Sequence, residues 1–138
     1  MVSHTTPSNN IARSPRGAAR TAAVALALMT TGAMADINDI AWDSSGRFER
    51  SVNVAPGKFA ELCGRLPMDA KVRWNFEASV PLDFNVHHHV GKEVTFASKL
   101  VAVNAAKDTL DAKTEQEYCW MWSNKSAAQA TVIVTLQR

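Results

Sequence analysis

The sequence predicts an all-β domain, an antiparallel β-sandwich, and three observations carry that expectation. Apolar side chains recur with a period of two over much of the chain, the alternation of a strand with one buried face. Turn residues punctuate these stretches at short intervals, at Pro56-Gly57, Pro67, Pro81 and Gly91-Lys92. Beyond residue 35, no stretch shows the 3.6-residue period of a convincing amphipathic helix.

In order along the chain, the first element is not part of the sandwich. Within 138 residues, Lys and Arg number 15 against 13 Asp and Glu, a formal net charge of +2. The excess sits in the first twenty residues, which hold Arg13, Arg16 and Arg20 and no acidic residue. The apolar run Thr21 to Thr31 follows, then Ala33-Met34-Ala35. A basic segment, a short apolar stretch and an A-x-A site are the parts of a secretory signal peptide, so residues 1–35 are expected to be a cleaved signal helix. The apolar run is shorter than the roughly 20 residues a membrane-spanning helix needs. No cysteine directly follows the cleavage site and no adjacent arginines precede it, so neither a lipid anchor nor twin-arginine export is expected. Removing 35 of 138 residues leaves 103, with 12 basic and 13 acidic side chains and a net charge of −1. The mature product is therefore expected in the periplasm or secreted, with no stable membrane insertion and no basic surface for nucleic acid.

Residues 36–47, with Trp42 among polar neighbours, are expected to be a leader that lies against the sandwich or frays, and residues 48–138 the sandwich itself. Phe48, Arg50, Val52 and Val54 alternate with Glu49, Ser51 and Asn53 up to the Pro56-Gly57 turn. Phe59 to Leu66 is a second short strand, closed by Pro67. Val72, Trp74, Phe76 and Ala78 alternate with charged and polar residues, and Pro81 separates that strand from the next. Leu82, Phe84, Val86 and Val90 then share one face, opposite Asp83, Asn85, His87 and His89. Val94 to Val103 is a further strand, and Ala105 to Lys113 reads as a loop or one helical turn. Tyr118 to Trp122 and Thr131 to Leu136 close the domain as strands. Seven or so short strands with regular turn signals fit a sandwich.

Export bears on the cysteines. Cys63 and Cys119 are the only two, and an exported compartment is usually oxidising. A pair with no leftover thiol suggests one disulfide, closing a loop for which chain entropy gives about 4 kcal/mol. Free thiols with metal or redox roles are the alternative.

Enzymatic chemistry finds no anchor. The chain has no Gly-rich phosphate loop, nucleophile elbow, H-E-x-x-H or C-x-x-C. Two constellations stand out instead. In Phe84-Asn85-Val86-His87-His88-His89, a strand would turn His87 and His89 to one side, with Cα atoms about 6.6 Å apart, close enough to share a metal ion. His88 would point to the opposite, mostly apolar face, and the plainer reading of the run is a polar strand edge in solvent. In Tyr118-Cys119-Trp120-Met121-Trp122, alternation sets Cys119 and Met121 against Tyr118, Trp120 and Trp122. With Trp74 these aromatics make a core or an exposed groove. Met121 with His87 and His89 would suit copper or zinc, whereas a methionine filling a gap in the core is the ordinary alternative.

The same residues resemble the GOLD domain, a β-sandwich of the lumenal parts of secretory-pathway cargo receptors and of other exported or lipid-handling proteins. Glu61-Leu62-Cys63 is similar to its early acidic-then-cysteine strand, and Leu82-Asp83-Phe84-Asn85-Val86 to its middle segment. Tyr118-Cys119-Trp120-Met121-Trp122-Ser123-Asn124 resembles its late strand of aromatics, cysteine and asparagine, with Thr131 to Leu136 as the last apolar strand. The resemblance spans roughly residues 48–138 and implies a GOLD or jelly-roll-like sandwich with Cys63 paired to Cys119. Asp69-Ala70 departs from it where a turn glycine is expected, the histidine triplet has no counterpart, and the stem and membrane helix of the cargo receptors are missing. The function expected from all this is a small exported, non-enzymatic module that binds a protein or small ligand and needs no cofactor. The alternative is a periplasmic copper or zinc protein using His87, His89 and Met121.

Overall fold

The computed structural model describes Ser3 and residues 36–138. The expected signal segment thus lies, Ser3 apart, outside the described residues. Seven strands follow: β1 (Asp36–Asp39), β2 (Arg47–Val54), β3 (Phe59–Leu66), β4 (Lys71–Val90), β5 (Glu93–Asp111), β6 (Gln116–Ser123) and β7 (Ala130–Gln137). The described residues include no helix long and apolar enough to cross a membrane.

Turn chemistry sets the strand ends. After β2, Lys58 N–H donates to Ala55 C=O at 3.1 Å across Pro56-Gly57, and Gly57 takes φ 70°. Proline fixes the first central position of such a turn and glycine tolerates the positive φ of the second. Between β3 and β4, Asp69 adopts φ 66°, supplying the conformation expected of the missing glycine. Short polar side chains visit this region at modest cost. Gly91, at φ 61°, leads the two-residue turn from β4 to β5.

The long β4–β5 hairpin organises the domain. The first half of β4 pairs with β7, from Arg73↔Gln137 to Ala78↔Val132, and β7 pairs with β2. The second half pairs with β6, from Asp83↔Ser123 to His88↔Tyr118. Beyond β6 lie β3, antiparallel, and β1, parallel to β3. Across β4, β5 accompanies both halves, with register breaks between Glu77 and Leu82. The pair bends there, so one sheet curls into two layers.

Two expectations are corrected by this hairpin. Pro81 does not end a strand, because it falls in the bend where β4 exchanges β7 for β6 and its missing N–H leaves no ladder bond unmade. Residues 105–111, read as loop or helical turn, are strand because each pairs with residues 71–77 of β4; tertiary pairing overrides weak local preference. The segment 36–47 contributes β1, puts Ile40 in the core and packs Trp42 against it.

The core lies between the layers. Trp74 and Phe76, before the bend, meet Phe84, after it, with ring centroids 4.9 and 4.7 Å away. Trp122 stands edge-on to Phe76 at 5.6 Å. Trp74, Tyr118, Trp120 and Trp122 are all buried and belong to this core. The indole Nε1 atoms of Trp120 and Trp122 are buried without a partner.

Candidate functional site

The histidine strand faces outward from the β3–β6–β4–β5 layer, and register determines its company. Directly paired residues project from the same face of a sheet. Glu61, Met121, Asn85 and Lys99 therefore form one row across β3, β6, β4 and β5. Cys63, Cys119, His87 and Phe96 form the next, and His89 pairs with Val94 beside it. His88 goes to the other side, its ring 4.9 Å from Tyr118 and its Nδ1 buried without a partner.

Three sequence-predicted groups thus share a face. Cys63 and Cys119 pair directly and are joined by a disulfide, with Cα atoms 4.1 Å apart. His87 and His89 stand edge to face at 5.1 Å between centroids. Met121 lies on the same face, but opposite Asn85 and Glu61 rather than either histidine. The sequence reading missed Glu61 as a site residue; its only early signal was its place two residues before Cys63.

His87 is 5% exposed and shares a 2.7 Å hydrogen bond between Nδ1 and Asn85 Oδ1. An amide oxygen only accepts, so Nδ1 carries the proton and Nε2 keeps its lone pair. Nε2 faces Glu61 Oε2 at 3.8 Å, across β6. That distance is within ion-pair reach, yet the environment opposes the charged forms. Burial lowers the His87 pKa, helped by His89 and His88. Burial raises that of Glu61, which His89 opposes and Glu117 reinforces. The geometry is therefore two partly dehydrated lone-pair acceptors facing each other without a bond between them.

The sign of the pH dependence follows. A depressed histidine pKa means that the unfolded chain binds protons first, from about pH 6.5 downward, so His87 draws stability away as the solution is acidified. The raised Glu61 pKa acts in the opposite sense, since its protonation in the fold relieves a burial penalty as pH falls. His87→Gln should therefore flatten the decline in melting temperature between about pH 7 and 5. Glu61→Gln should steepen it. Parallel melting curves for both variants and the parent would contradict these assignments.

An apolar flank adjoins the cluster. Val94 is 44% and Phe96 45% exposed, Val90 and Val101 more so. Lys99 Nζ sits 4.4 Å above the Phe96 ring. Among the described residues β5 pairs only with β4, leaving its outer edge open. A depression of about 470 Å³ lies elsewhere, over the β5–β4–β7 surface, where Arg73, Asn75, Lys107, Thr109 and Thr135 line it. Arg47 at its rim is already paired with Glu49.

No family model matches the chain, and no curated protein matches its sequence. Solved structures match its fold. The pre-peptidase C-terminal domain of collagenase from Bacillus anthracis superposes with a TM-score of 0.57 at 10% identity, over 75% of this chain and 97% of that one. PliG, a periplasmic inhibitor of g-type lysozyme, gives 0.53 at 8% identity for the Aeromonas hydrophila protein, over 75% of this chain and 98% of that one. Salmonella Typhimurium PliG gives 0.51 at 7%, with the same coverage. At these identities the shared property is the all-β sandwich fold.

Proposed function

We propose that this chain is an exported binding module without enzymatic activity of its own, and that it engages a protein partner along β5. The observation that carries the reading is the edge of that strand. It is 19 residues long, unpaired on one side among the described residues, and presents Val94, Phe96 and Val101 to solvent. A long apolar edge left open invites strand pairing or side-chain docking, and monomeric proteins normally blunt it. The lysine over Phe96 and the bulge at Val86/His87 blunt it only in part.

Two lines support the wider reading. The N-terminal 35 residues have the layout of an export signal, and the disulfide fits an oxidising compartment. Two of the fold neighbours are periplasmic inhibitors of a lysozyme. The resemblance to GOLD domains belongs to the same reading of an exported sandwich, although none of the structures named above is one.

A photo-crosslinking residue placed at Phe96 in the expressing cell tests the surface. It should capture one defined protein, and the same residue placed at Arg50 on the far layer should not. Equal capture at both positions, or none at Phe96, would remove β5 as the docking edge. An activity of the purified protein that vanishes when one polar side chain is changed, with fold and disulfide intact, would overturn the non-enzymatic reading.

A further inference from the structure

Glu61 presents an unresolved charge. Its side chain is only 14% exposed, and among the described residues its carboxylate accepts no hydrogen bond. Burying a carboxylate without a donor or a cation is costly, and such groups are normally paired or coordinate a metal. The group facing it is the unprotonated Nε2 of His87, itself held in orientation by Asn85. A histidine whose second nitrogen donates to an oxygen has the usual support of a metal ligand.

The Glu61–His87 separation fits a shared ion, and the spacing of the two rings allows a second imidazole. Ligand atoms about 2.0–2.2 Å from a tetrahedral centre lie roughly 3.4 Å from one another, and angular opening brings that to the 3.8 Å seen between Glu61 Oε2 and His87 Nε2. Two imidazoles on such a centre have ring centroids about 5.2 Å apart, against 5.1 Å for His87 and His89. Cys119 Sγ also falls within 4.8 Å of the Glu61 and His87 donors, but it is committed to the disulfide. His89 stands outside this 4.8 Å grouping, so its exposed ring must turn to bring a nitrogen toward the pair.

We propose that Glu61, His87 and His89 bind one divalent first-row transition ion of the zinc type, with Asn85 orienting His87 and solvent completing the coordination. The set is two imidazoles and a carboxylate, borderline donors that suit zinc. Glu61 takes the place that the sequence assigned to Met121, which shares the row of Glu61 and Asn85 and pairs with neither histidine. This site is independent of the docking edge on β5, and each reading can fail alone.

The test is titration of the purified, oxidised full chain with Zn2+, followed by calorimetry. One ion per chain is expected. His89→Ala, at an exposed position, and Glu61→Gln, nearly isosteric, should each weaken binding by at least about tenfold, since even residues that only orient ligands are worth about 10–100-fold. Met121→Leu should leave the affinity unchanged. Circular dichroism and melting curves of the three variants separate lost ligands from lost fold. Co2+ in place of zinc should give a tetrahedral d–d spectrum without a thiolate charge-transfer band. The proposal is overturned by the absence of stoichiometric binding, by affinity indifferent to His89→Ala and Glu61→Gln in folded variants, by a Met121→Leu loss equal to theirs, or by a thiolate band in the oxidised protein.

Discussion

Replacing Trp122 by alanine is expected to destabilise the domain by about 3–5 kcal/mol, the usual range for removing a buried tryptophan. The side chain is fully buried, pairs in register with Ala60 and Phe84, and touches the rings on both sides of the β4 bend, 5.6 Å to Phe76 and 5.5 Å to Phe84. Those contacts hold the two layers together. No neighbour can fill the void, because Ala60 opposite is small and lies on a paired strand. For a domain of about 100 residues each kcal/mol moves the melting temperature by roughly 4–8 °C, so a drop of more than about 12 °C is expected. Trp122→Phe discriminates between causes. Nε1 of Trp122 is buried without a partner, a penalty of about 1–3 kcal/mol that phenylalanine lacks. The smaller ring should therefore lose much less than alanine does. If denaturant melts show alanine and phenylalanine variants equally destabilised, the loss is not one of aromatic packing.

The strands that carried a clean period of two were legible in the sequence, and those that did not were missed for a physical reason. β2, β6 and β7 each have one buried face, so Phe48, Val52 and Val54, or Trp120 and Trp122, announce themselves by alternation. β5 is almost wholly exposed, so nothing in its composition records which face is which; only pairing with β4 makes residues 105–111 strand. Likewise β1 is four residues long and owes its conformation to β3. At the candidate site, alternation correctly separated His88 from His87 and His89. Strand order was not legible, and strand order is what sets Glu61 across β6 from His87 and shifts Met121 by one row.

Asn124 shows the same limit from another side. The triplet Asn124-Lys125-Ser126 fits a glycosylation pattern, yet the side chain is 1% exposed. Its Nδ2 donates to Val54 and Ala128 carbonyls, and its Oδ1 accepts from the backbone N–H and hydroxyl of Ser126. A residue 70 positions from Val54 thus pins the β2–β3 turn to the β6–β7 loop. Such a fully satisfied buried amide is structural, and no local pattern distinguishes it from a surface asparagine.

Loss of the disulfide, by Cys63→Ala with Cys119→Ala, should lower stability by about 4 kcal/mol, most of it through the unfolded state. The bridged residues are 56 positions apart, and the loop between them contains all of β4 and β5. Breaking it releases the whole long hairpin in the denatured chain. In the folded chain it releases little, because β3 and β6 are hydrogen-bonded from Phe59↔Ser123 to Leu66↔Gln116 with or without the bridge. The double variant should therefore keep its native circular dichroism at 25 °C, unfold at lower urea, and show a larger m-value as its denatured state expands. Both sulfur-bearing residues are 5% exposed, so a dithiol added to the native protein should act slowly, at the rate of local opening. An alternative assigns the bridge a native-state role, holding His87, in its own row, and Glu61, in the row beside it, in place. That predicts a melting loss with an unchanged m-value and a collapse of the His87 pH response in the double variant. A midpoint shift with the m-value raised and the pH response intact supports the entropic origin; the reverse pair of results rejects it.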